Sequence, residues 1–147
     1  MIITRAQRSD APALAHVMFD AIRQGATLYS VPQRRAWIPK VKDSKDFARI
    51  FVNHHVWVAR SIQGPQGFIA VRRDSYINLV FILPHARGRG MFRRLMAKAE
   101  TVFPGTMTVH ASLHAEPAFA ALGFEVQERE RIPRNGQILR RCFMRRD

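Results

Sequence analysis

The sequence has one cysteine, few acidic residues and no long apolar run, and each shortage removes a class of protein. With Cys142 alone, an internal disulfide is excluded, which fits a reducing compartment. No motif surrounds that thiol, so it reads as a small core or surface residue. No apolar stretch approaches the roughly 18 residues that a membrane-crossing helix needs. Met1–Arg8 lacks an apolar core followed by a small-residue cleavage site, so a cytoplasmic protein with no membrane partner is expected. Repeats, low-complexity segments, linkers and zinc-finger spacings are all absent. Acidic residues number 11 against 24 Lys and Arg, giving a net charge of +13 over 147 residues.

Such an excess attracts polyanions: nucleic acid, acidic membrane surfaces or phosphorylated cofactors. The arginines are spread along the chain, in pairs at Arg34-Arg35, Arg72-Arg73, Arg93-Arg94, Arg140-Arg141 and Arg145-Arg146. A basic surface is the plainer reading, and a nucleic-acid partner the weaker one. A hydrophobic fraction of 47% is that of a globular chain, and the length suits one domain over residues 1–147.

The apolar pattern predicts an α/β fold. Residues 1–6 read as a strand, and Ser9-Asp10 as the N-cap of a helix carrying Leu14, Val17, Met18, Ala21 and Ile22 to Gly25. Residues 26–55 read as irregular chain with short helices, punctuated by Pro32 and Pro39. Asp43-Ser44 is expected to cap a helix through Phe47, Ile50 and Phe51. Val56–Ala59, Gly67–Val71 and Tyr76–Leu83 make an antiparallel meander. A helix from Met91 to Val102 and a strand at Met107–His110 then form a crossover, which sets that strand parallel to its predecessor. A helix over 114–121 and strands at 124–131 and 138–144, joined through Asn135-Gly136, end the chain. The expected architecture is a mixed, mostly antiparallel sheet of six to seven strands with helices on both faces.

Between the longest strand and the following helix lies Arg87-Gly88-Arg89-Gly90-Met91-Phe92. A helix start leaves backbone N–H groups unpaired and carries positive partial charge. Glycine lets a pyrophosphate approach that backbone, and the arginines add charge-assisted bonds. A plain Gly-rich turn is the alternative. A dinucleotide fingerprint would need a third glycine, and a P-loop a lysine with Ser or Thr.

Leu83-Pro84-His85-Ala86-Arg87-Gly88-Arg89-Gly90-Met91 resembles the acetyl-CoA motif of the GNAT N-acyltransferases, with Arg87 and Gly90 in place and Phe92 where Gly or Ala is usual. Ser112, Ala115, Pro117, Gly123 and Phe124 match the family's second motif. The N-terminal stretch, with Asp10, Tyr29-Ser30 and Trp37, is similar to small bacterial members of the family. The resemblance implies acetyl-CoA as cofactor. Pantetheine would pair with Phe81 and Ile82, the cradle Arg87, Gly88, Arg89, Gly90, Met91 and Phe92 would hold pyrophosphate, and Ser112 and Phe119 would touch the arm. It also implies transfer of an acetyl group to a primary amine of a small molecule or peptide.

The catalytic groups depart from the family pattern. Phe119 stands where a tyrosine often serves as general acid, and phenylalanine has no proton to give. Tyr76 and Asn78 occupy the strand where an acidic base is common, and an amide is no base. His110, on the same strand face as Ser112, is the candidate with a suitable pKa range, against the plainer reading of a hydrogen-bonded strand histidine. Tyr29 and Trp37 are candidate acceptor-pocket residues, with a core role for Trp37 as the alternative. The paucity of acid groups disfavours a polycationic acceptor and favours an acidic or neutral amine. His54 and His55 face opposite ways on a strand and no second cluster joins them, so no metal is expected. The rival functions are a non-catalytic acyl-CoA-binding module and a basic nucleic-acid-associated protein. The exposed strands of such folds often pair, which is compatible with a homodimer.

Overall fold

In the computed structural model, which describes residues 1–147, seven strands form one sheet in the order β1-β2-β3-β4-β5-β7-β6. The strands are β1 (Ile2–Arg5), β2 (His54–Ser61), β3 (Gly64–Arg72), β4 (Tyr76–Ile82), β5 (Met107–Ser112), β6 (Glu125–Arg134) and β7 (Gln137–Arg146). The helices are α1 (Ala11–Gly25), α2 (Val31–Trp37), α3 (Ser44–Phe47), α4 (Ile50–Asn53), α5 (Met91–Val102) and α6 (Ala115–Ala121). β2, β3 and β4 form the expected antiparallel meander, and β4 and β5 the expected parallel pair. Asn135 and Gly136 both hold positive φ, 47° and 81°, which matches the β6–β7 turn to the twist of its strands.

Each face of the sheet buries a separate apolar layer. Leu95, Met96 and Ala99 of α5 and Phe119 of α6 pack on Ile69, Val71, Ile77 and Val109. On the opposite face, Leu14, Met18 and Ile22 of α1 join Ile38 and Phe47 over Val58, Phe68 and Ala70. Burying each larger side chain contributes about 1.5–3 kcal/mol.

Local chemistry differs from expectation at several points. Asp10 precedes α1 but makes no cap bond to it; its carboxylate accepts from the Gln7 amide at 2.8 Å and pairs with Arg60 at 2.6 Å. Pro32 opens α2 rather than interrupting the chain, inside a capping box made by Ser30 and Gln33. The helix expected from Asp43 to Phe51 is two short ones, because Asp43 caps only the first turn through Lys45 and Asp46. β6 runs on through Pro133 to Arg134, which the outermost position of this strand permits.

The sheet parts at its centre. Pairing of β4 with β5 stops at Tyr76–Thr108 and Ile77–Val109. On the other edge of β4, Ala70 faces Leu79 while Val71 faces Ile77, leaving Asn78 as an extra residue. A bulge of this kind bends its strand. It falls just where the parallel ladder ends, and both open cavities described below lie at this divergence.

Candidate active site

The first cavity, about 440 Å³, lies between the Gly-rich turn and the parted strands. Val80, Phe81 and Ile82 form one wall, Ser112, His114 and Ala115 another, and Arg87, Gly88, Gly90, Met91 and Phe92 the floor. Gly88 and Gly90 hold φ of 76° and 77°, and a Cβ on either would project into open space. Arg94 is the first residue of α5 whose amide finds a carbonyl, that of Gly90 at 3.1 Å. The N–H groups of Gly88 through Arg93 donate to nothing in the protein. A row of free donors at a helix N-terminus suits a pyrophosphate. Arg89, Arg93 and Arg94 add exposed positive charge around it.

Arg87 does something other than expected. Its guanidinium turns toward the end of α1, donating to Gly25 O at 2.8 Å, Ala21 O at 3.3 Å and Ile82 O at 3.3 Å. A cation on the last carbonyls of a helix opposes the negative end of its dipole. A Cβ on Gly25 would sit 2.5 Å from that guanidinium, so the contact requires glycine there. Arg87 thus ties α1 to the turn, and its amide donates to Pro84 O at 3.3 Å, so the free donors for a phosphate begin at Gly88. Met91 is buried beneath the turn. Phe92 lines the first cavity and meets the fully buried Phe119 edge-on at 5.0 Å; Phe124 holds Phe119 from another side. Phe119 borders the second cavity rather than the first.

The second cavity, about 520 Å³, shares Trp37, Val80, Phe81, Ser112 and Ala115 with the first. Side chains alternate along a strand, so Thr108, His110 and Ser112 of β5 share the face opposite Val109 and Ala111. Register then places His110 beside Phe143 and Ser112 beside Arg141. Tyr76, at the start of β4, reaches His110: its hydroxyl lies 2.7 Å from Nδ1. The other ring nitrogen, Nε2, is 3.6 Å from Glu130 Oε1, which accepts from Arg141 Nε at 2.8 Å. Tyr76, His110, Glu130 and Arg141 therefore form a chain of four side chains from four strands. Burial pulls the His110 imidazole below its usual range and Arg141 adds to this, while Glu130 and Glu128 oppose them. Burial pushes the Tyr76 phenol up. At neutral pH this favours an intact phenol donating to a neutral imidazole, whose Nε2–H points at Glu130.

Asn78 lines the second cavity, but its amide is held by His54, Nδ2 to Nε2 at 3.0 Å, and His54 Nδ1 in turn donates to Ile50 O. His55 lies on the other face against Arg5 and Trp57. Tyr29 is buried; its hydroxyl donates to Arg140 O at 2.6 Å and accepts from Leu113 N at 3.0 Å. It supplies a ring to the cavity wall and no free polar group. Trp37 is half-buried between Tyr29 and Phe81, at the junction of the two cavities. Ser112 Oγ accepts from Ala115 N, leaving its proton available. Two further residues were not singled out by sequence reasoning: Glu130, whose role depends on the β6–β7 register, and His114, which accepts from Leu28 N at 2.8 Å and lines the first cavity.

A turn of unpaired amides lies on one cavity and a phenol–imidazole pair on the other, and the two cavities meet where the central strands diverge. The family model for the acetyltransferase (GNAT) domain matches residues 22–139. The chain belongs to the GNAT acetyltransferase family. It is 27% identical over 139 residues to the uncharacterized N-acetyltransferase YafP of Escherichia coli K12, covering 95% of this chain and 91% of that one. A GCN5-related N-acetyltransferase from Rhodopseudomonas palustris superposes with a TM-score of 0.89 at 24% identity, over 98% of this chain and 93% of that one. YncA of Salmonella typhimurium, a putative acetyltransferase solved with acetyl-CoA, gives 0.71 at 17% identity over 99% and 92%. These likenesses show the same fold.

Proposed function

We propose that the chain transfers an acetyl group from acetyl-CoA to a primary amine of a small molecule or peptide. The observation that carries this reading is the meeting of two cavities at the β4–β5 divergence, with a phenol–imidazole pair on the acceptor side. The residues present fit the cofactor. The free amides of Gly88 to Arg93 suit pyrophosphate. The edge of β4 that β5 leaves uncovered beyond Ile77, at Phe81 and Ile82, suits the amides of a pantetheine arm, with Ile82 O shared with Arg87 Nε. Ser112, on both cavities, can donate to a group lying in the gap. When bound, acetyl-CoA supplies a thioester carbonyl open to attack by an amine.

The protein's own task is to remove a proton from that amine. The Tyr76 oxygen takes the amine proton as its phenolic proton passes to His110 Nδ1. Glu130 steadies the imidazolium so formed. Phe119 cannot donate, so the departing sulfur draws its proton from water or from the acceptor. A cytoplasmic setting is in keeping with the single thiol. The test is thiol release from acetyl-CoA across a panel of amines and peptides. Acceptor-dependent release is expected; tight acetyl-CoA binding with no amine increasing release would overturn the transfer reading.

A further inference from the structure

The second cavity carries more information than a place for an amine. Its walls are largely apolar: Met18, Phe47, Ile50, Leu79, Ile132 and Leu139 all line it. Its charges are mostly positive. Lys42, Arg134, Arg140 and Arg141 stand against one carboxylate, Asp46, which already faces Arg49 at 3.4 Å. Not every cation is free. Arg141 is paired with Glu130, and Arg140 alternates with Leu139 and Arg141, so its side chain belongs to the opposite face. Two remain. Lys42 has no hydrogen-bond or ion-pair partner, and Arg134 uses only Nε, on Trp37 O at 3.1 Å. That bond and the short stretch of chain from Trp37 to Lys42 put both cations on the rim beside the end of α2.

We infer that the acceptor is an apolar-bodied primary amine bearing a carboxylate, which Lys42 and Arg134 hold while the amine reaches Tyr76 and His110. This rests on the acetyl-transfer reading. Free cations over a low-dielectric wall attract an anion and repel a second ammonium. Positive charge in the cavity also lowers the pKa of the bound amine, which favours the neutral form that attacks a carbonyl.

Matched pairs separate the possibilities: apolar α- and ω-amino acids against the same molecules with carboxamide in place of carboxylate, with spermidine as the polycation. For the best pair, kcat/KM is expected to be about tenfold or more higher for the acid, the effect of a charged hydrogen-bonded partner. Calorimetry without acetyl-CoA should rank the pair the same way. The Lys42→Ala/Arg134→Ala protein should bring the acid-to-amide ratio close to one in both measurements. An amide or spermidine that performs as well as the acid overturns the inference while leaving acetyl transfer standing, and so does a ratio unchanged in the double variant. Absence of transfer to every compound, with acetyl-CoA still bound, overturns the transfer reading and this inference with it.

Discussion

The two cavities that meet between β4 and β5 are made in different ways. The polar part of the first is consecutive backbone: a strand end, a turn with two left-handed glycines, and the first amides of α5. The second is mostly side chains brought from distant parts of the chain; Tyr76 and His110 are 34 residues apart in sequence, and Glu130 lies on a further strand. A site made of backbone depends on local conformation and tolerates most side-chain changes. A site made of side chains depends on register, and one substitution alters its chemistry.

The sharpest way to break the first half of that contrast is to attack the backbone conformation itself. In Gly90→Glu, the left-handed φ of 77° becomes costly and a carboxylate enters the anion site. Strain and lost charge-assisted bonds together should weaken acetyl-CoA binding roughly a thousandfold. The open space around that position lets the fold survive. Calorimetry reads the affinity and circular dichroism the fold; unchanged affinity refutes the cradle. Arg89→Ala should cost far less, since the donors there are amides.

The second half is tested at His110. Its replacement by alanine should lower kcat about a hundredfold, the usual worth of a positioned base. Acetyl-CoA affinity should hold, because His110 lines the second cavity and not the first. Burial and Arg141 depress the imidazole, so the wild-type rate should fall as pH drops through a value below the ordinary histidine range. The variant should lose that acid limb. A variant that keeps the limb assigns it to another group.

The same division governs what could be read from the sequence. The Gly-rich turn was legible because strand, turn and helix are adjacent, and the β2–β3–β4 meander, the parallel β4–β5 pair and the β6–β7 hairpin follow from turns and one crossover. The insertion of β7 between β5 and β6 is a long-range pairing that no turn encodes. Arg87 was misread because its guanidinium answers to the end of α1, which is distant in sequence. Glu130 was invisible because its place opposite Arg141 depends on the β6–β7 register, and a bulge between Val126 and Glu128 shifts that register. His110 and Ser112 could be put on one face by alternation alone, but nothing in the sequence put Tyr76 at hydrogen-bond distance.

Glu130→Gln sharpens the comparison within the second cavity. Glu130 touches no acceptor atom by this reading; it positions His110 and stabilises its charged form. The carboxylate opposes the depression of the imidazole, so its loss should move the acid limb of the rate to still lower pH. At neutral pH kcat should drop by about tenfold, less than for His110 itself, as expected of a partner acting through the base. Arg141 is partly exposed and can be hydrated when its partner goes, so the fold should persist. A limb that stays in place reduces Glu130 to a strand-pairing residue.

The smallest catalytic effect is expected at Phe119, where the family resemblance would place a tyrosine as general acid. The ring is fully buried, with Phe92 and Phe124 both edge-on to it at 5.0 Å. A hydroxyl added among these aromatic rings has water and polar partners removed from it, so Phe119→Tyr should destabilise the protein by about 1–3 kcal/mol. Its kcat should stay within about twofold of the parent, since a buried, unpartnered phenol is poorly placed to protonate a leaving sulfur. Thermal unfolding reads the first effect and thiol release the second. A large rise in kcat would mean that the Phe119 side chain can reach the reacting sulfur after all, and that the two cavities share one proton donor instead of dividing cofactor binding from acid–base work.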